Sequence, residues 1–225
     1  KSRCDGFTFH HIQLSDDVET STEPDDIPDV PDKPETPDTP VLPEYPEEVK
    51  NILLLNEIMY DNAMFGAEYI ELYNPSNSTV SVPSLKLLRY IDNGSGSTQT
   101  TTTTILKHPN INQSLNFPPH EYICLTKSAT TLINRHKANK NNIIEISNFP
   151  RINNDGGYLA ITTNEDKSRI IDKCCYSDEM HDGGGRYQGI SLEKKSPELS
   201  SSYKRNWHSS KDVTGGTPGR KNSQE

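Results

Sequence analysis

The 225-residue sequence is poor in hydrophobic residues and has no long apolar run. Hydrophobic residues make up 31% of the chain, which is below the roughly 45–50% of an ordinary globular protein even after allowance for glycine, which that figure includes. No stretch approaches the roughly 18 apolar residues that a membrane helix requires. The HExxH, GxSxG and GxGxxG motifs of metalloproteases, hydrolases and nucleotide-binding loops are also missing. We therefore predict no membrane span and no catalytic activity.

Acidic residues are concentrated at the N-terminal end. Residues 1–50 contain 14 acidic and 4 basic residues (net −10), and residues 51–225 contain 18 and 19 (net +1), which add to the −9 of the chain. A near-neutral body lacks the positive surface that nucleic-acid binding requires, so nucleic acid is not the expected partner. The basic residues available for that alternative are Lys194, Lys195, Lys204, Arg205, Arg220 and Lys221.

The first 48 residues form two predicted segments. Residues 1–14 alternate in a way that predicts a strand, either the last strand of a preceding truncated domain or an addition to the edge of the main sheet. Residues 15–48 contain prolines at spacings of three or four residues, from Pro24 to Pro46. Because proline fixes φ and lacks an N–H group, we predict an extended, acidic, proline-rich linker. The start at Lys1 without a signal peptide leads us to expect a chain cut from a longer precursor.

Residues 49–223 contain short apolar or alternating runs between turn signals such as Asn-Asn-Asp-Gly-Gly at 153–157. This pattern predicts one all-β domain with the architecture of a β-sandwich. Strands are predicted at 51–60, 67–74, 80–82, 85–91, 121–126, 143–146, 158–162, 170–176 and 190–194. One short helix is predicted at 128–140, and the threonine-rich run 98–104 is predicted to be an extended loop or an edge hairpin.

The four cysteines, at positions 4, 124, 174 and 175, include no CxxC pair, so a zinc ribbon is not expected. Cys174 and Cys175 are adjacent in a predicted strand and should point to opposite faces. We interpret them as one buried side chain and one half-exposed thiol. The alternative is a disulfide from Cys124 to one of them, which an exported protein could form.

Polar residues interrupt both apolar faces of the first predicted strand. Asn56 and Glu57 lie among apolar neighbours, and buried polar groups must find partners. We expect their side chains to bond backbone groups of a neighbouring turn. The alternative is a cation site with Asp61, Glu68 and Glu71, whose carboxylates would supply some of the six to eight oxygens that Ca²⁺ prefers. A loop metal site is a further alternative at His181, Asp178, Glu179 and Asp182.

Four parts of the chain carry a family resemblance. They are LLNEIMYDNAMFGAEYIELYNPS from Leu54, PPHEYICLTKS from Pro118, FPRINNDGGYLAI from Phe149, and GISLEKK with NWHSSKDVTGGTPGRKNS from Gly189. In order and spacing they resemble the lamin tail domain family in its bacterial surface-protein form, over residues 50–223. The resemblance implies an immunoglobulin-like β-sandwich appended to exported, multidomain bacterial proteins, and it implies no catalytic residue.

The chain's only tryptophan, Trp207, lies close in sequence to Tyr203 and Arg205. The resemblance places Trp207 at the closing edge of the sandwich, where we expect it to cover the core. The alternative is that Trp207, Tyr203 and Arg205 form a ligand-binding platform for stacking on sugars.

These patterns favour a non-catalytic binding or structural module of an exported bacterial protein, at the cell surface or outside the cell. Its expected partner is a glycan or protein of the cell envelope, and no cofactor is expected. Two alternatives are a nucleic-acid-binding accessory domain of an exported nuclease-type protein and a metal-dependent hydrolase module. A fold by itself does not decide between such functions.

Overall fold

The computed structural model describes residues 52–92, 99–163, 170–183 and 187–223. All of these belong to one of the two units into which the chain divides, and the other unit, Phe7–Glu48, lies outside the described residues. The strand predicted at 1–14 and the linker predicted at 15–48 also lie outside them.

The described residues form β-strands and one short α-helix. The strands are β1 (Leu54–Met59), β2 (Tyr69–Tyr73), β3 (Val80–Val82), β4 (Leu85–Asp92), β5 (Gln99–Leu106), β6 (Leu115–Phe117), β7 (Tyr122–Thr126), β8 (Ile143–Glu145), β9 (Gly157–Thr163), β10 (Ile170–Tyr176), β11 (Leu192–Lys194) and β12 (Trp207–Ser209). The helix α1 (Ala129–His136) begins after Ser128, whose hydroxyl accepts the Thr131 N–H, and ends at Lys137 in the left-handed conformation. Within the described ranges no helix is long and apolar enough to cross a membrane.

The strands are arranged in three sheets. The largest has the order β12-β11-β1-β2-β7-β8, in which only the β7–β8 pair is parallel. A four-stranded antiparallel sheet has the order β10-β9-β4-β5, and β3 pairs with β6. This arrangement fits the predicted all-β sandwich.

One main core joins the sheets, and a smaller cluster lies on the other face of the six-stranded sheet. The main core includes Ile58 and Ile70 of the larger sheet together with Leu87 and Ile161 of the smaller one. Successive side chains of a strand point to opposite faces, so the neighbouring residues of β1 and β2 face away from this core. There they join the smaller cluster of Met59, Tyr69, Cys124, Leu132, Ala138 and Ile143.

The structure decides between the two alternatives for one strand and contains two short strands that were not predicted. The threonine-rich run lies in β5, which pairs with β4 at the edge of its sheet, so the edge-hairpin alternative is confirmed. Strands β6 and β12 have three residues each and are too short to show a period in sequence.

The structure confirms one buried cysteine in the adjacent pair, Cys174, and corrects the other expectations for the cysteines. Cys124 and Cys174 are free and buried, while Cys175 is disulfide-bonded. The predicted disulfide from Cys124 is therefore wrong. The predicted half-exposed thiol is also wrong, because Cys174 packs in the main core and Cys175 is only 6% exposed.

Candidate functional site

A row of polar side chains crosses the six-stranded sheet on the face that carries α1. Across the strands, His208 lies opposite Glu193, Glu193 opposite Glu57, Glu57 opposite Glu71, and Glu71 opposite Cys124. We call Glu57, Glu71 and Glu193 the glutamate row, and each of them is 0% exposed. Like charges opposite each other on neighbouring strands are destabilising, so the row needs compensating partners.

The segment after β12 supplies those partners. We call residues 215–223 the C-terminal strap. Its backbone donates one N–H to each carboxylate: Thr217 to Glu57 at 2.8 Å, Gly219 to Glu71 at 2.6 Å, and Ser223 to Glu193 at 2.8 Å. These bonds give partners to carboxyl oxygens that are buried from water, so the strap and the row stabilise each other.

Two glycines allow the C-terminal strap to approach this closely. A Cβ at residue 216 would collide with the Tyr69 hydroxyl and would lie 2.9 Å from Glu57 Oε1. Gly215 has φ 87°, and a Cβ there would collide with the Gly189 carbonyl. Residue 216 must therefore be glycine because its neighbours lie so close. Residue 215 must be glycine for the same reason and also because of its positive φ.

Side chains of the sheet complete the shell around the row. Tyr69 and Ser191 donate their hydroxyls to Glu57 Oε1 at 2.6 and 2.5 Å, and the Asn56 amide donates to Glu71 Oε1 at 2.8 Å. The prediction of a bond to neighbouring backbone is confirmed for Glu57, which accepts an N–H from the strap. For Asn56 it is wrong, because its side-chain amide donates to other side chains.

Burial changes the acid–base chemistry of the row. It raises the pKa of the Glu57 carboxyl to about 7, and the neighbouring Glu193 carboxylate adds to the rise. It also raises the pKa of Glu71 and of the Cys124 thiol well above their ordinary values. Because the row is sealed beneath the strap, these groups have no access to a substrate in this conformation.

The four acids of the alternative calcium site fall into two pairs, since Asp61 interacts electrostatically with Glu68 and Glu57 lies opposite Glu71. Glu57 and Glu71 belong to the glutamate row, whereas Glu68 accepts the Ile152 N–H and Asp61 accepts the Asn154 amide. Among the described residues there is no group of three or more His, Cys, Asp or Glu arranged to hold a metal ion. The predicted cation site does not form from these residues.

Both ring nitrogens of His181 have hydrogen-bond partners within the protein. Its Nδ1 lies 2.9 Å from the Ser209 hydroxyl and its Nε2 lies 3.0 Å from the Tyr60 hydroxyl. Tyr60 donates in turn to Asp178 at 2.7 Å, and the imidazole stacks on Tyr187. With both ring nitrogens engaged, the metal site considered at this loop does not form here.

The predicted sugar platform divides into a buried and an exposed part. Trp207 is 3% exposed and donates its indole N–H to the Ser201 carbonyl at 2.7 Å. Tyr203 is 48% exposed, and Arg205 is also exposed. An aromatic ring needs an open face to stack on a sugar, so only Tyr203 and Arg205 could offer such contacts, and their role stays a prediction.

The candidate basic residues do not all reach the surface. Lys194 is 0% exposed and donates to Ser201. Arg220 pairs with Asp212 at 2.7 Å. Lys194 is therefore too buried to contact nucleic acid, and Asp212 partly offsets the positive charge of Arg220.

An open cleft of about 300 Å³ lies near α1. Its lining includes the cations Lys127 and Arg151, the acid Glu68 and the aromatic residue Phe149. Lys127 and Arg151 are exposed. Burial raises the pKa of the Glu68 carboxyl, while the positive charge of Arg151 opposes that rise.

An exposed apolar tip stands beside this cleft, in the loop between β1 and β2. Met64 is 77% exposed and Phe65 is 90% exposed. Phe65 has φ 61°, a left-handed conformation that is uncommon for a bulky residue. The loop is fixed where it contributes to the cleft, since Gly66 donates its N–H to Ala63 at 2.7 Å and Gly66 lines the cleft.

Sequence reasoning missed the glutamate row and the cleft. Each glutamate of the row stands inside a short strand with apolar neighbours, in LLNEIM, YIELY and LEK. That repeated signal could have indicated buried acids that share partners. The cleft combines residues from distant loops, and no local pattern indicates it.

No family model matches this chain, and the search of curated proteins also finds no match.

Proposed function

We propose that this chain is a non-catalytic binding module of an exported, multidomain bacterial protein and that it contacts a glycan or protein of the cell envelope. The observation that carries the proposal is the exposed tip at Met64 and Phe65 beside the cleft that contains Lys127 and Arg151. The glutamate row, by contrast, is closed to ligands.

The tip supports a recognition role because its exposed ring and its backbone conformation both cost free energy in the unbound protein. An aromatic side chain that is 90% exposed gains almost nothing from burial. A non-glycine residue in the left-handed region costs on the order of 1 kcal/mol. A fixed loop that carries these costs can present a rigid aromatic group to a partner at little further cost in conformational entropy.

The two cations of the cleft, Lys127 and Arg151, outnumber its one acid, Glu68, and this balance favours an anionic ligand. Lys127 and Arg151 line the cleft together, and arginine suits carboxylate groups through paired N–H donors. An acidic polysaccharide or an acidic protein segment would place carboxylates on these cations and an apolar face on Phe65. Both ligands belong to the glycan or protein class that we propose.

The family resemblance is compatible with this function and is part of the proposal. We propose an immunoglobulin-like domain of the lamin tail type. Its support is that the segments from Leu54 and Gly189 that carry the resemblance supply the glutamate row and the C-terminal strap. Those segments would then define the fold, and the loops would define the ligand.

The test compares Phe65→Gly with Ile111→Ala on the whole chain. Glycine suits φ 61°, so this variant removes the ring without disturbing the backbone. Ile111 is 91% exposed and does not line the cleft, so it serves as a control for loss of an exposed apolar group. Binding is measured by calorimetry with an acidic polysaccharide, a polyglutamate peptide and a neutral dextran.

We expect saturable binding of one acidic ligand, at least tenfold weaker in Phe65→Gly and in Lys127→Ala and unchanged in Ile111→Ala. The polysaccharide and the peptide distinguish a glycan partner from a protein partner. Absence of binding to both acidic ligands, or equal affinity in all variants, would contradict the proposed use of the cleft.

A further inference from the structure

The side-chain hydroxyl of Thr217 lies between two carboxyl groups. Its Oγ1 is 3.0 Å from Glu57 Oε2 and 3.0 Å from Glu193 Oε1. A hydroxyl group has one proton to donate. If both carboxyls were ionised, one of these contacts would set an oxygen lone pair of the hydroxyl against that of a carboxylate.

The other oxygens of the two carboxyls already have donors. Glu57 Oε1 accepts from Tyr69, Ser191 and the backbone of Thr217. Glu193 Oε2 accepts from the backbone and the hydroxyl of Ser223. A proton on either carboxyl therefore belongs on the oxygen that faces Thr217, where it can be donated to the threonine oxygen.

We propose that Glu57 and Glu193 share one bound proton across Thr217 and that this proton fastens the C-terminal strap to the sheet. With the proton present, one carboxyl donates to Thr217 Oγ1, and Thr217 donates to the other carboxylate. When the proton leaves to solvent, two carboxylates face each other across Thr217, and the strap is loosened.

The surroundings of the pair favour a retained proton. Glu71 from β2 lies opposite Glu57, and Cys124 from β7 lies beyond Glu71. His208 from β12 lies opposite Glu193, and His136 of α1 packs against Tyr69. Within the described residues none of the three carboxyls forms an ion pair, so charge neutralisation by a proton replaces neutralisation by a cation. The raised pKa of Glu57 agrees with this geometry.

The direct test is carboxyl-carbon NMR of the whole chain labelled at glutamate side chains, from about pH 5 to about pH 9. Of the Glu57 and Glu193 pair, we expect the Glu57 carboxyl to be protonated at pH 6 and to ionise with a pKa of about 7. The amide resonances of Thr217 and Gly219 should move with the same midpoint, because they belong to the strap. The proposal would be overturned if both carboxyls were ionised at pH 6, or if the strap amide resonances did not shift over the pH range in which the carboxyl ionises.

Glu57→Gln removes the titrating carboxyl group but keeps a donor and an acceptor in the same place. The amide nitrogen can donate to Thr217 as the protonated carboxyl does, while the amide oxygen still accepts at the position of Oε1. The strap amides of this variant should lose their transition near pH 7. Glu145→Gln, outside the row, should keep it. If Glu57→Gln does not fold, Glu193→Gln and the wild-type titration still decide the question.

Discussion

Glu57 in the first strand and Thr217 in the C-terminal strap are joined by two hydrogen bonds, of 2.8 and 3.0 Å, across 160 positions of sequence. The strap therefore closes over a strand formed by the opposite end of the described chain. Contacts of such long separation are slow to form because loop closure costs entropy. The pairing of β1 with β11 has a similar separation, so we expect the strap to be fastened together with that pair, late in folding.

Gly216→Ala should loosen the strap strongly. The added Cβ would collide with the Tyr69 hydroxyl and would crowd Glu57 Oε1. Tyr69 would then lose its bond to a buried carboxyl, and we expect unfolding free energy to fall by about 2–4 kcal/mol. Urea unfolding of the wild type and the variant measures this difference.

Gly183→Ala is a control for adding a methyl group to a glycine where no neighbour is crowded. Gly183 has φ 81°, but a Cβ there would have no heavy atom within 4 Å. We expect only the conformational penalty of about 1–2 kcal/mol. A loss at Gly216 no larger than at Gly183 would show that the strap tolerates the added methyl group.

Two buried histidines should make the fold sensitive to mild acid. Burial lowers the pKa of both His136 and His181 to about 4. Their ordinary value is near 6.5, so the unfolded chain binds more protons between pH 6.5 and 4, and unfolding free energy should decrease as pH falls through this range. After allowance for solvent screening we expect about 1–2 kcal/mol from each histidine.

Proton NMR of the imidazole rings tests this directly. The ring resonances of His136 and His181 should stay constant from neutral pH to about pH 5 and titrate near pH 4 if the fold persists. Titration of either ring above pH 6 would show that its buried contacts, such as that of His181 with Tyr60, do not hold in solution.

The sequence predicted most of the longer strands, but it did not predict that the C-terminal strap packs over them. Alternating and apolar runs predicted β1, β2 and β10 because their period is local. The same runs could not assign partners, since the C-terminal strap reaches Glu57 only through tertiary structure. β12 was missed because three residues cannot display a period.

The candidate site, too, could be predicted from the sequence only in part. Asn56 and Glu57 were recognised as buried polar residues because polar side chains between apolar neighbours need partners. Thr217 gave no such signal, since a threonine in a turn is ordinary. The cleft depends on Lys127 and Arg151, which lie in different loops and are brought together only by the fold.

The cysteines should divide into two reactivity classes. Cys124 and Cys174 are free and buried, and burial raises the pKa of both thiols, so neither should react with iodoacetamide in the native protein. Both should react in urea without a reductant, whereas Cys175 should react only after reduction. Mass spectrometry of alkylated peptides measures this and identifies the residue linked to Cys175. Native labelling of Cys124 would contradict its burial beneath α1.

Trp207 and Tyr203 should respond differently to substitution. Trp207 is buried, and its indole N–H bonds the Ser201 carbonyl, so Trp207→Ala should lower the unfolding free energy by about 3–5 kcal/mol. Tyr203 is 48% exposed, so Tyr203→Ala should change it by less than about 1 kcal/mol. Chemical denaturation followed by far-ultraviolet circular dichroism compares the two, because the tryptophan signal is absent from one variant.

The same pair separates a core role from a sugar platform. If the platform existed, Tyr203→Ala would weaken glycan binding while the protein stayed folded, and Trp207→Phe would weaken it beyond its effect on stability. We expect Trp207→Phe to lose about 1–3 kcal/mol of stability through its unpaired carbonyl partner and smaller volume. Under conditions where Trp207→Phe is folded, its ligand affinity should equal that of the wild type, because the ring faces the core. A selective loss of affinity in that folded variant would mean that Trp207 becomes exposed when a ligand binds.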